Sequence, residues 1–184
     1  GNVTINSAWV SANGNVLENF DISGSLTVTV NNFTVRCGRI AGNEATSIST
    51  QSQSGLRLEW IESQNFSNGS KNKNLLGGDF TLYRSNLHGG GDVVHINSSD
   101  DSTVVEESYI HNPILVADDH IDGIQMTRGS CNGNNNIQIL SSKVIGPYKN
   151  QNSAVQVNVA NNFLIENSYL WGGQYSLSGD DKCG

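Results

Sequence analysis

Phe80-Thr-Leu-Tyr-Arg-Ser-Asn-Leu87 alternates apolar and polar residues, breaks the alternation at Arg84-Ser85, and closes on a further apolar residue. The same line returns in Phe33-Thr-Val-Arg-Cys-Gly-Arg-Ile40, Thr103-Val-Val-Glu-Glu-Ser-Tyr-Ile110, Ile137-Gln-Ile-Leu-Ser-Ser-Lys-Val144 and Phe163-Leu-Ile-Glu-Asn-Ser-Tyr-Leu170. A weaker copy, Leu56-Arg-Leu-Glu-Trp-Ile61, falls between the first of these and Phe80. The third position is apolar throughout (Val35, Leu82, Val105, Ile139, Ile165), as is the eighth (Ile40, Leu87, Ile110, Val144, Leu170). The sixth holds Ser85, Ser108, Ser142 and Ser168, with Gly38 in the first copy. Alternation is the mark of a strand, and recurrence every few tens of residues is the mark of a solenoid coil.

Positions one and three therefore face inward, two and four outward, and the serine column turns back to the interior past a bend. A second strand set stacks as well: Asp92-Val-Val-His-Ile96, Asp122-Gly-Ile-Gln-Met126 and Ser153-Ala-Val-Gln-Val157, with Val94, Ile124 and Val155 pointing in. A leucine-rich repeat is excluded, because its Leu and Asn positions are missing and no helical period separates the strands. The expected fold is all-β: one right-handed, single-stranded parallel β-helix of about seven coils over residues 1–184, with two strand columns per coil. No amphipathic helix is visible in residues 1–19 to cap the first coil.

The composition agrees. The 184 residues carry 15% charged side chains and 20 Gly, and Asn, Ser and Thr stand where a helical protein has Ala, Glu, Lys and Leu. A net charge of -7 without a basic run lacks the electrostatic footprint of a nucleic-acid binder. No stretch approaches the length of a membrane span, and residues 1–10 lack the pattern of a signal peptide. Cys37, Cys131 and Cys183 have no metal-ligand spacing; a Cys131–Cys183 bridge and idle thiols both remain open.

The segments FTLYRSNLHGGGD (80–92), ESYIH (107–111), HIDGIQ (120–125) and NSYLWGG (167–173) give residues 78–177 a likeness to a known group. They resemble the pectate-lyase-like superfamily of parallel β-helix proteins, particularly secreted bacterial members, and phage tailspikes share that architecture. The resemblance implies the fold first, and with it a setting outside the cell or on a virion.

Spacing becomes distance in a solenoid, since equivalent residues on successive coils lie about 4.8 Å apart. Asp92 and Asp122 share one column, His95, Gln125 and Gln156 another, and His88 and His111 a third. The densest constellation, Asp118-Asp119-His120-Ile121-Asp122-Gly-Ile-Gln125, lies in the longest interval between copies. Three readings of it stand side by side. Asp92 and Asp122 can pair as acid and base for glycoside hydrolysis, with His120 as a relay. Asp118, Asp119 and Asp122 can supply oxygen ligands to Ca²⁺, which would hold an acidic sugar. Asp at a β-helix corner can also simply cap its own backbone.

His95 and Gln125 on that flank, and Tyr109 and Tyr169 in a shared outward column, are candidate sugar contacts. Tyr83, Trp171 and Tyr175 extend the aromatic set, whose other reading is packing on an exposed sheet. His88 and His111 read as strand-edge residues before metal ligands, for want of a third ligand. Arg84, Arg128, Lys143 and Lys149 are the few candidate bases for a lyase, and no spacing pairs them. Nucleophile elbows, phosphate loops and zinc-protease motifs are absent. Sequons begin at Asn2, Asn32, Asn65, Asn68 and Asn97.

Two functions fit. One is an extracellular or virion-surface β-helix that binds polysaccharide on its lateral face, with depolymerisation as a further step. The other is a non-catalytic structural or decoration β-helix. In either, end coils expose unpaired strands, so a homo-oligomer or flanking domains are expected to cover them.

Overall fold

A computed structural model of the chain describes residues 1–50, 53–67, 71–97, 102–115, 120–127, 136–148, 153–158, 160 and 162–179. It is an all-β solenoid of about 7 turns built from parallel strands. The first coil is β1 (Val3–Ile5), the helix α1 (Ser7–Asn13), β2 (Val16–Glu18) and β3 (Asp21–Ser23). The second is β4 (Leu26–Val28) and β5 (Thr34–Gly42), and the third β6 (Thr46–Ser49) and β7 (Leu56–Asn65). From the fourth coil the repeat settles: β8 (Lys73–Gly77), β9 (Phe80–Tyr83) and β10 (Asn86–Gly89), then β11 (Asp92–Ile96), β12 (Ser102–Glu106) and β13 (Tyr109–His111). The sixth coil is β14 (Ile124–Met126), β15 (Asn136–Leu140) and β16 (Lys143–Ile145), and the seventh β17 (Ser153–Val157), β18 (Asn162–Glu166) and β19 (Tyr169–Trp171). β20 (Tyr175–Gly179) rejoins the first column.

Each coil thus has three strand positions where two were expected. The first column runs β1-β4-β6-β8-β11-β14-β17-β20. The eight-residue repeat splits at its bend into a second column (β9, β12, β15, β18) and a third (β10, β13, β16, β19). The long β5 and β7 run through both columns and join them into one sheet. The bend comes from the fifth repeat position, which adopts the left-handed conformation in every coil: Asn19, Cys37, Trp60, Arg84, Glu107, Ser141 and Asn167 have φ between 46° and 56°. Most of these are not residues that favour such angles, and each costs about 1–2 kcal/mol relative to a relaxed backbone.

The next residue offsets that cost. The N–H of Ser85 donates to Ser108 Oγ, that of Ser108 to Ser142 Oγ, and that of Ser142 to Ser168 Oγ, each at 3.1 Å. Each hydroxyl in turn donates to the carbonyl two residues earlier, as Ser108 does to Glu106 at 2.8 Å. The serine column is therefore an inward ladder of satisfied groups, with Ser85, Ser108 and Ser142 no more than 4% exposed.

Val35, Leu58, Leu82, Val105, Ile139 and Ile165 stand in one register and form the expected internal stack, fully buried except at Ile165. Ile40, Leu87, Ile110 and Val144 are likewise buried, and Val94, Ile124 and Val155 line the wall formed by the first column. One expectation fails at the start of the chain. Asn6 caps α1 by accepting the Trp9 N–H at 3.0 Å, Gly14 ends it, and Trp9 packs edge-on against Phe33 at 5.5 Å. With Val10 also against the core, this short helix covers part of the first coil.

Candidate functional site

Alternation along β11 places His95 outward, and parallel pairing sets it beside Gln125, Gln156 and Ser178 on successive coils. His120, Gln125, Gln156, Asn158 and Ser178 line an open groove of about 440 Å³ on this first-column face. The groove is amide-rich: Gln156 Nε2 donates to Asn158 Oδ1 at 2.8 Å. His120, Gln125 and the His95 row therefore share a face, as the sequence indicates.

Asp92 and Asp122 do not open onto it. They are 1% and 0% exposed. Asp92 Oδ1 accepts the Asp122 N–H at 3.1 Å, and Asp122 Oδ1 accepts the Ser153 N–H at 2.7 Å, so the two carboxylates form rungs between coils. Asp92 Oδ2 also pairs with Lys73 Nζ and lies 3.0 Å from His95 Nδ1. A glycosidic general acid must reach its substrate, and burial of both groups removes Asp92 and Asp122 from that role. The signal was present in the sequence, because each lies two residues before an inward residue, Val94 or Ile124. Asp118 and Asp119, the remaining calcium candidates, lie outside the described residues, as do Arg128, Cys131, Lys149 and Cys183. Among the described residues no group of three or more His, Cys, Asp or Glu is placed to hold a metal ion.

The third-column face gathers the aromatic residues. Tyr109, Lys143 and Tyr169 occupy one register row, and the tyrosines are 37% and 55% exposed. Lys143 Nζ lies 5.0 Å from the Tyr109 ring centroid and 5.8 Å from that of Tyr169, on the scale of a cation–π contact. Tyr109 stacks on His111 at 3.9 Å, and His111 on His88 at 5.0 Å. Trp171, 46% exposed, ends the neighbouring row, with Tyr148 at 6.4 Å. Pro147, Tyr148, Trp171, Gly172, Gly173, Gln174 and Ser176 enclose a second hollow of about 250 Å³ there.

Burial lowers the pKa of His88, against the opposing pull of Glu62. Burial also lowers that of His111, aided by His88 and Lys143 and opposed by a hydrogen bond to Asn112. Tyr83 and Tyr175 do not join this face. Tyr83 packs against Trp60 and Arg84 on the second column, and Tyr175 belongs to the first. Lys143 and Tyr148 were missed as members; column alignment points to Lys143, since it holds the same repeat position as Tyr109 and Tyr169.

Of the sequons, Asn65 is 1% exposed and donates to the carbonyls of Glu44 and Lys73, which closes it to glycosylation. No described helix is long and apolar enough to cross a membrane. In comparisons with protein-family models, curated proteins and solved structures, nothing matches this chain.

Proposed function

We propose that this chain is an extracellular or virion-surface β-helix, of the pectate-lyase-like kind, that binds polysaccharide along its lateral face. One observation carries the reading: Tyr109, Lys143, Tyr169 and Trp171 stand exposed on the outward side of one strand column. Aromatic rings left in water mark a contact surface, and they suit a ligand with apolar faces and polar rims. Equivalent positions repeat about every 4.8 Å, so a polymer laid along the solenoid axis meets Tyr109, Lys143 and Tyr169 in turn. The amide-lined groove around Gln125 and Gln156 offers hydrogen bonds on the adjoining face. With Asp92 and Asp122 inside the wall, the reading is one of binding, and hydrolysis through those carboxylates is not part of it.

Affinity electrophoresis through gels containing neutral or acidic polysaccharides tests this. At least one polymer should retard the protein, and Tyr169→Ala or Trp171→Ala should weaken that binding about two- to tenfold each, as expected for losing about 0.5–1.5 kcal/mol of ring contact. Gln138→Ala, on the second column, should leave it unchanged. If no polymer retards the protein, the structural or decoration role takes this reading's place.

A further inference from the structure

His95 connects two groups that the groove and the aromatic row leave unexplained. Its Nδ1 lies 3.0 Å from Asp92 Oδ2, and its Nε2 lies 2.7 Å from Thr127 Oγ1, on the next coil. The protons follow from elementary bonding rules. The Asp92 carboxylate accepts from Lys73 and can only accept from His95, so Nδ1 carries the hydrogen. The neutral ring then has an acceptor at Nε2, and the Thr127 hydroxyl donates to it. Asp92 is 1% exposed, while the His95 side chain, 14% exposed, and Thr127 are both half-buried, so the carboxylate is the inner member of the three. Asp92 is held as well by the Asp122 N–H and by Lys73.

We infer that Thr127, His95 and Asp92 form a hydroxyl–imidazole–carboxylate relay that hydrolyses small O-acyl esters. The relay is recognised by geometry and roles and does not depend on chain order or fold. Thr127 Oγ1 attacks the ester carbonyl carbon while its proton passes to His95 Nε2, and Asp92 orients the imidazolium. The C–O bond to the leaving alcohol breaks, and the alcohol takes the proton from Nε2. Water then attacks the acyl-Thr127 ester, giving its proton to Nε2; the carboxylic acid departs as Thr127 recovers the proton. Ester and water become alcohol and acid, with no oxidant or reductant. Gln125, in register with His95 and two residues before Thr127, supplies an amide N–H on this face for the carbonyl oxygen. This inference does not rest on the polysaccharide reading.

The test uses the purified chain and p-nitrophenyl acetate. Nitrophenolate release should exceed the buffer blank, and an acid quench followed by peptide mass mapping should find acetyl on Thr127. Thr127→Ala and His95→Gln should each lower the rate at least about a hundredfold, while Thr127→Ser, which keeps a hydroxyl, should keep it within about tenfold of the parent. Circular dichroism checks that each variant folds. If a variant does not, the acyl position in the unaltered chain decides. Release at the blank rate, acetyl only on other side chains, or an undiminished Thr127→Ala rate would each overturn the relay and leave a structural tie between coils.

Discussion

Ser108 shows at the residue scale what holds a coil to its neighbours. Its hydroxyl accepts the Ser85 N–H and donates to the Glu106 carbonyl, inside a corner where it is 3% exposed. Ser108→Ala leaves a buried N–H without an acceptor and should cost about 1–3 kcal/mol, read as a fall in the urea midpoint. Ser108→Leu adds overpacking of about the same size. Asp92 is the harsher case. Asp92→Ala takes a carboxylate away from Lys73 and an acceptor from the Asp122 N–H, and should cost on the order of 3–5 kcal/mol. Asp92→Asn keeps the acceptor, so its urea midpoint should fall between those of the parent and Asp92→Ala. Equal midpoints for all three proteins would show that the rung carries no stability.

At the element scale the corner column explains why β5 and β7 run on where later strands break. Phe20, Gly38 and Ile61 stand where Ser85 stands on the fourth coil. A Cβ on Gly38 would lie 2.4 Å from the Phe20 ring, so glycine there makes room for an aromatic corner in the coil before it. In β7 the serine and the apolar residue exchange places: Ile61 takes the corner, and Ser63 goes inside to donate to Asn74 Oδ1 at 2.6 Å.

β10 and β13 carry the pH dependence. Burial holds His88 and His111 below the ordinary histidine pKa of about 6.5, with Glu62 and Lys143 as the charged neighbours. The unfolded chain then binds protons that the folded one does not. Stability from this pair is complete above about pH 6.5 and is lost as pH falls through the folded values. The urea midpoint should drop between pH 7.5 and 5.5, and His88→Gln with His111→Gln should flatten that drop. An unaltered slope in the double variant would place the dependence elsewhere.

Across the whole molecule, the strands of each coil, among the described residues, pair with those of the coils before and after it, so damage should stay local. Trp9→Ala removes the edge-on contact with Phe33 and uncovers part of the first coil, at a cost of about 1–3 kcal/mol for a half-buried side chain. Hydrogen exchange should show faster amides in β1 to β4 and unchanged protection in β9 to β16. Loss of protection along the entire solenoid would mean that the coils unfold as one unit.

Period and alternation determined the architecture from the sequence alone. Val35, Leu82, Val105 and Ile139 had to stack once the copies were aligned, because equal spacing on a parallel coil leaves no other register. The same logic reached the serine ladder and the shared row of Tyr109 and Tyr169. It stopped where the backbone leaves extended geometry. At a left-handed bend the alternation restarts, so one repeat became two strands, and a coil gained a third wall. The rungs from Asp92 to the Asp122 N–H and from Asp122 to the Ser153 N–H, the helix at Ser7–Asn13, and the meeting of His95 with Thr127 were settled only by the tertiary structure. Each depends on how side chains from different coils approach, and the spacing of residues along a chain does not contain that distance.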